Sequence, residues 1–410
     1  MLGSASALLA LFGIAALAAV TALILVLSRK GRTEDRARAY LAGVTYVLSD
    51  DPDAAIAELS RAAQLSTETL ETYFALGALF RRKGDLERAI RLHQNILLRP
   101  GLGPEVKRRA LLALALDHRR SGLRDKAEEA FEKILAEEPT HREALVRYRQ
   151  LLEDAQEWSR AAEIQARLVR LEGGAGTGVV AHLLAAHARA IAQKAPDEAL
   201  EVAARAVELS PQNADAQAAL AQILLAQGRR AEAALRLERA VTLEPELAPR
   251  AVALMRAASS ADDVERVLRA QIAARGDPSG PYGFALALAL KERGDIEAAR
   301  AQLERILERR PWFDEARREL RLLSSAGPRG EEGGAGQWPG ILDPLGTPAM
   351  AFACTACRQK LPEHAFRCPS CEAWGTVRRA EPNLTALPGG SRPAARETEA
   401  TAGGGPGAVV

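Results

Sequence analysis

The sequence predicts an all-α solenoid of stacked helical hairpins, with a transmembrane helix at its N-terminus and a small four-cysteine ribbon near its C-terminus. Three observations lead there. Met1–Ser28 carries no charge, alanines recur at a near-fixed period from Ala55 to Ala299, and all four cysteines fall between Cys354 and Cys371. Composition agrees: 48% of the 410 residues are apolar but only 4% are aromatic. A mix dominated by Ala and Leu suits helices packed on helices. Basic and acidic side chains number 55 and 53, so no net field draws the chain to nucleic acid.

The first element is the anchor, residues 5–28. Leu8–Leu27 includes twelve of Leu, Ile, Val or Phe, which together favour insertion by roughly 4–7 kcal/mol. Twenty helical residues span the ~30 Å hydrocarbon core. A cleaved signal peptide needs basic residues before its apolar run, whereas Arg29, Lys30 and Arg32 follow this one. The positive-inside rule then leaves the rest of the chain in the cytoplasm.

The second element is the repeat array, residues 36–323. One alanine position recurs at Ala55, Ala89, Ala127, Ala161, Ala199, Ala233 and Ala299, at intervals of 34, 38, 34, 38, 34 and 66. The 34-residue period is that of the tetratricopeptide repeat, the 38s carry four-residue insertions, and the 66 holds two units. About eight repeats result, one of them degenerate near Leu254–Ile272. Gly84, Gly122, Gly228 and Gly294 stand five residues before the marker, where the turn between helices needs positive φ. Pro139, Pro211, Pro245 and Pro311 stand twelve after it and end the second helix. Apolar residues four and seven after the marker share one helical face. Such units bury their faces only by stacking, which predicts a superhelix with a long groove for protein partners.

Polar residues interrupt this pattern. His93 and Gln165 take the face position four residues after the marker, and the reading is that they are satisfied structural groups. Arg81, Arg82 and Lys83 end a first helix; they complement its C-terminal dipole and form a candidate basic docking patch. The glycine-rich run Gly173–Gly178 lacks the strand and the Gly-Lys-Ser/Thr ending of a phosphate loop, so it reads as a connection. No catalytic residue is predicted and the chain is not read as an enzyme.

Residues 324–349 are rich in Gly, Pro and Ser and read as a linker. The ribbon, residues 350–379, holds Cys354-x-x-Cys357 and Cys368-x-x-Cys371. Each pair places two thiolates on a tight turn, and two facing turns complete a tetrahedral site. Disulfides are disfavoured on the cytoplasmic side of a membrane. Four thiolates suit zinc or iron; zinc in a closed site is structural. His364 lies between the pairs without being needed as a ligand, and Phe352, Phe366 and Trp374 supply an apolar body or an anchor against the repeats. Residues 380–410 have too few large apolar side chains to fold.

The order of parts, with the stretches Ala75–Leu97 (ALGALFRRKGDLERAIRLHQNIL) and Phe366–Val377 (FRCPSCEAWGTV), resembles the lipopolysaccharide assembly protein B family of Gram-negative bacteria. The resemblance covers about residues 5–378. It implies an inner-membrane adaptor that brings the deacetylase of lipid A synthesis to a membrane-bound ATP-dependent protease. Arg358 and Glu372 depart from rubredoxin-type turns, which often place Gly after the second cysteine. The alternatives are a rubredoxin-like electron carrier, disfavoured by the short gap between the pairs, and a membrane-tethered scaffold for another complex. A nucleic-acid-binding ribbon ranks last, because residues 352–377 are not strongly basic. Self-association of the repeats stays open.

Overall fold

A computed structural model describes parts of residues 35–46, then residues 51–65, 70–325 except 278, and 351–380. The anchor (5–28), all but the first two residues of the linker (324–349), and the tail beyond Ala380 lie outside the described residues. Among the described residues no helix is long and apolar enough to cross a membrane.

The chain forms two compact units, one up to Ile223 and one from Leu224. The first contains α1 (Pro52–Leu65), α2 (Leu70–Lys83), α3 (Leu86–Leu97), α4 (Pro104–Arg120), α5 (Arg124–Glu137), α6 (Arg142–Asp154), α7 (Trp158–Leu171), α8 (Thr177–Ile191), α9 (Pro196–Leu209) and most of α10 (Ala214–Ala226). The second contains α11 (Arg230–Leu243), a short 3-10 turn (Pro245–Leu247), α12 (Ala248–Ala258), α13 (Ala261–Arg275), α14 (Pro281–Arg293), α15 (Ile296–Arg309) and α16 (Asp314–Ser325). It also holds the strands β1 (Phe352–Cys354), β2 (Lys360–Leu361) and β3 (Val377–Arg379). Within each unit, successive helices pack as antiparallel hairpins; the fold is an all-α repeat solenoid.

The repeating positions explain why the helices begin, end and pack where they do. All seven marker alanines are wholly buried, where a small side chain lets the two helices of a hairpin approach closely. The residues four and seven positions on are buried too, from Leu59 and Ala62 to Leu303 and Ile306. Gly84, Gly122, Gly228 and Gly294 all take positive φ. Gln156 occupies the same place in its repeat and also has positive φ, at 58°, so the turn imposes its backbone on a residue that dislikes it. α5, α9, α11 and α15 each stop two residues before a proline. The residue between is extended (φ near −130 to −146°), since proline excludes its neighbour from the helical region.

The degenerate repeat is α12 and α13. Val264 and Leu268 fill its marker and face positions, both buried. No glycine turn joins its helices; Ser260 caps α13 instead, its Oγ accepting from the Asp263 N–H at 3.2 Å.

Candidate metal centre and its seat on the repeats

The ribbon is a three-stranded antiparallel sheet in the order β2-β1-β3, with Phe352 opposite both Leu361 and Arg379, and Cys354 opposite Val377. Its core is Phe352, Leu361 and Val377 with Cys354 and Cys368. The expectation for the apolar body is therefore corrected: Phe366 and Trp374 are only half-buried, and two aliphatic strand residues take their place. The strands are too short for an alternating pattern to be read from sequence, which is why Leu361 and Val377 escaped notice.

The two Cys-x-x-Cys turns are built alike. In the first, the Arg358 N–H donates to the Cys354 carbonyl (2.8 Å) and the Cys354 N–H to the Gln359 carbonyl (2.9 Å). In the second, the Glu372 N–H donates to the Cys368 carbonyl (3.0 Å) and the Cys368 N–H to the Ala373 carbonyl (2.9 Å). Arg358 and Glu372, the two residues that depart from glycine, both have φ of 62°. Left-handed backbone without glycine costs about 1–2 kcal/mol at each.

All four thiols are free, and their sulfurs lie within 4.8 Å of one another. Cys354 and Cys371 are 3.6 Å apart and Cys357 and Cys368 3.7 Å. A tetrahedral zinc with Zn–S bonds of 2.3 Å has sulfur–sulfur edges of about 3.8 Å, whereas a disulfide needs about 2.05 Å. The donor set fits a metal. Thr376 Oγ1, 3.2 Å from the Cys354 sulfur, and the Cys357 backbone N–H push the Cys354 thiol down to about 6. The Ala373 N–H favours the Cys371 thiolate, but burial and the three neighbouring sulfurs outweigh it and push that thiol up to about 12. Four sulfurs this close cannot all ionise without a cation among them. His364 is not one of the set: its ring is buried edge-on between Phe352 (5.9 Å) and Phe366 (5.3 Å).

The ribbon sits on the last repeats. Arg379, at the end of β3, holds its guanidinium carbon over the rings of Phe313 (4.5 Å) and Phe352 (4.7 Å). Its Nε and Nη2 donate to Glu246 (2.8–3.1 Å) and its Nη1 to Glu315 (3.0 Å). Burial would lower the Arg379 pKa, but the two carboxylates raise it. In return Arg250 of α12 donates to the Glu363 carboxylate (2.6 Å) and the His364 carbonyl (2.9 Å). Of the three aromatics, one of which was open as an anchor, Phe352 lines a cleft with Phe284 and Glu315 of the repeats, and Phe366 lines another with Leu247 and Arg250. No sequence signal marked Arg379, since its partners lie more than sixty residues away.

The other residues singled out in the sequence sit in the first unit. His93 is buried and its Nδ1 is bonded to Asp117, which also takes Arg81 Nη1 at 2.8 Å. Lys83 pairs with Asp53. Arg81 and Lys83 of the candidate patch thus have carboxylate partners within the fold. Gln165 is buried and donates to the Gly176 carbonyl at 3.4 Å. Residues Gly173–Gly176 of the glycine-rich run lie in the turn between α7 and α8, with Gly173, Gly174 and Gly176 at positive φ, and Thr177 and Gly178 begin α8. A second buried aspartate, Asp215, bonds His182 Nδ1 (2.8 Å) and pairs with Arg189.

Hairpins with an alanine seam define an all-α solenoid of the tetratricopeptide-repeat kind, with a four-thiol ribbon seated on the last of them. Tetratricopeptide repeat models match residues 72–105 and 190–258. The chain is similar to lipopolysaccharide assembly protein B of Escherichia coli strain K12, 26% identical over 354 residues, covering 83% of this chain and 89% of that protein. The Haemophilus influenzae protein of the same name is 24% identical over 357 residues, with the same coverage. The resemblance read from the sequence thus holds along most of the chain. Among solved structures, a tetratricopeptide repeat protein from Parabacteroides merdae aligns with a TM-score of 0.37 and 16% identity, over 71% of this chain and 99% of that one.

Proposed function

We propose that this protein is a non-catalytic adaptor in lipopolysaccharide assembly, held at the inner membrane by residues 5–28 with its repeats in the cytoplasm. The observation that carries the reading is the four-thiol cluster: Cys354, Cys357, Cys368 and Cys371 supply four protein donors to one point, which leaves no position for a substrate or a catalytic water. Zinc bound there would lock the two knuckles, and so hold β1 and β3 in the register that presents Arg379. The protein side of the reading rests on the repeats, whose stacked helices offer an extended surface to other chains. The lipopolysaccharide side rests on the similarity to lipopolysaccharide assembly protein B. On that likeness the partners are the deacetylase of lipid A synthesis and a membrane-bound ATP-dependent protease, brought together so that the first is degraded. Deleting the gene is then expected to lengthen the deacetylase half-life and to raise lipopolysaccharide output, measured by pulse-chase and by lipid A quantification. An unchanged half-life refutes the adaptor's proposed target.

A further inference from the structure

The ribbon meets the repeats through two adjacent arginines, and the surface they meet is built like a binding site. Glu246 takes Arg379 side-on through two nitrogens, Glu315 takes a third, and the guanidinium carbon lies over the Phe313 ring at 4.5 Å. Arg378 reaches Glu244 at 3.7 Å. All three carboxylates and the Phe313 ring belong to the repeats. Arg250 and Arg318 line the same cleft, and Arg250 is turned the other way, onto Glu363 of the ribbon.

A contact that only glued two modules together would need none of this. Apolar side chains of similar volume hold as well or better, because a guanidinium taken out of water costs several kcal/mol that its partners must return. Two carboxylates and an aromatic ring set around one planar fork are instead the means by which an arginine is told from a lysine.

We propose that Glu244, Glu246, Glu315 and Phe313 form a binding site for an Arg-Arg segment of a partner protein, and that Arg378 and Arg379 of the ribbon occupy it as a tethered competitor. The tether keeps the ribbon's pair at an effective concentration in the millimolar range. A partner therefore enters only when it outcompetes the ribbon or when the ribbon lifts away. Binding of the partner and seating of the ribbon exclude each other. The site is independent of which metal the thiols hold.

The test uses the full chain carrying Arg378→Ala and Arg379→Ala, titrated calorimetrically with the acetylated, amidated tetrapeptide Val-Arg-Arg-Ala, the sequence of residues 377–380. The variant is expected to bind it at least about tenfold more tightly than the wild-type chain, whose own arginines compete. The Lys-Lys peptide should bind the variant at least about tenfold more weakly, and adding Glu246→Gln should cost the same. A variant with an unchanged helical circular dichroism spectrum that binds no better than wild type overturns the proposal, as does equal binding of the two peptides. If the double variant misfolds, Arg379→Lys, which keeps the charge but loses the fork, replaces it under the same criteria.

Discussion

A methyl group at position 77 has nowhere to go. A Cβ there would lie 2.4 Å from both Cε1 and Nε2 of His93, and His93 cannot yield because Asp117 holds its other nitrogen. Gly77, Arg81 and His93 all fall in the stretch that most resembles the lipopolysaccharide assembly protein B family; the stretch supplies the histidine and arginine of a His–Asp–Arg cluster whose buried aspartate comes from α4. Gly77→Ala is expected to destabilise the chain by about 1–3 kcal/mol, the usual cost of overpacking, as measured by denaturant unfolding. Asp215 gives the pH side of the same chemistry. Burial would raise its carboxyl, but His182 and Arg189 outweigh burial and hold it below the usual carboxylate range. A depressed folded pKa contributes stability above the unfolded value of about 3.9, and that stability is lost as pH falls through the folded pKa. The stability difference between wild type and Asp215→Ala should therefore shrink as pH falls below about 4, which acid titration of unfolding would show. Gln156 allows a further test. Since its left-handed backbone costs about 1–2 kcal/mol, Gln156→Gly should stabilise by up to about 1 kcal/mol once glycine's greater unfolded freedom is subtracted. Gly294→Ala, at φ 91°, should do the reverse.

At the scale of elements, what was legible in the sequence was what a period can carry. The alanine seam, the positive-φ turns and the proline stops recur, so each repeat corroborates the next, and helix ends follow within a residue or two. The α12–α13 pair was blurred because it replaces the three marks at once: Val264 for alanine, a serine cap for the glycine turn, and Gly276 at positive φ for the proline stop. The ribbon was legible in its ligands and not in its seat. Cysteine spacing is a local signal, whereas Arg379 meets Glu246 and Glu315 across 133 and 64 residues, a pairing no window of sequence contains. The linker also predicted two independent modules, and the described contacts join them. Cys368→Ser should accordingly abolish the proposed stoichiometry of about one zinc per chain and disorder β1–β3, while the helical circular dichroism signal stays nearly intact. Amide exchange should then rise in α16 around Glu315 as well as in the ribbon, because the Arg379 contact goes with the sheet. Exchange confined to residues 351–380 would mean that the seat contributes nothing to the repeats, and stoichiometric iron with a visible chromophore would displace zinc.

At the scale of the whole molecule, the proposed adaptor works by confinement. Two proteins that each touch a scaffold weakly meet far more often when the scaffold and both partners are held at one membrane surface, because tethering raises their effective concentration without adding a contact. Under that proposal residues 5–28 set where the repeats are, and the seam alanines, the buried aspartates and the four thiols all lie beyond them. A chain lacking residues 1–28 is expected to keep its helical signal and about one zinc, yet to fail to restore deacetylase turnover in the deletion strain at normal expression. Raising its expression should recover turnover in part, since bulk concentration then substitutes for confinement. The cytoplasmic orientation is checked alongside, by adding protease to intact spheroplasts, where the repeats of the full chain should stay uncut. If the shortened chain restores turnover fully at normal levels, the membrane contributes nothing to the encounter, and partner recognition must rest on the repeats and ribbon alone.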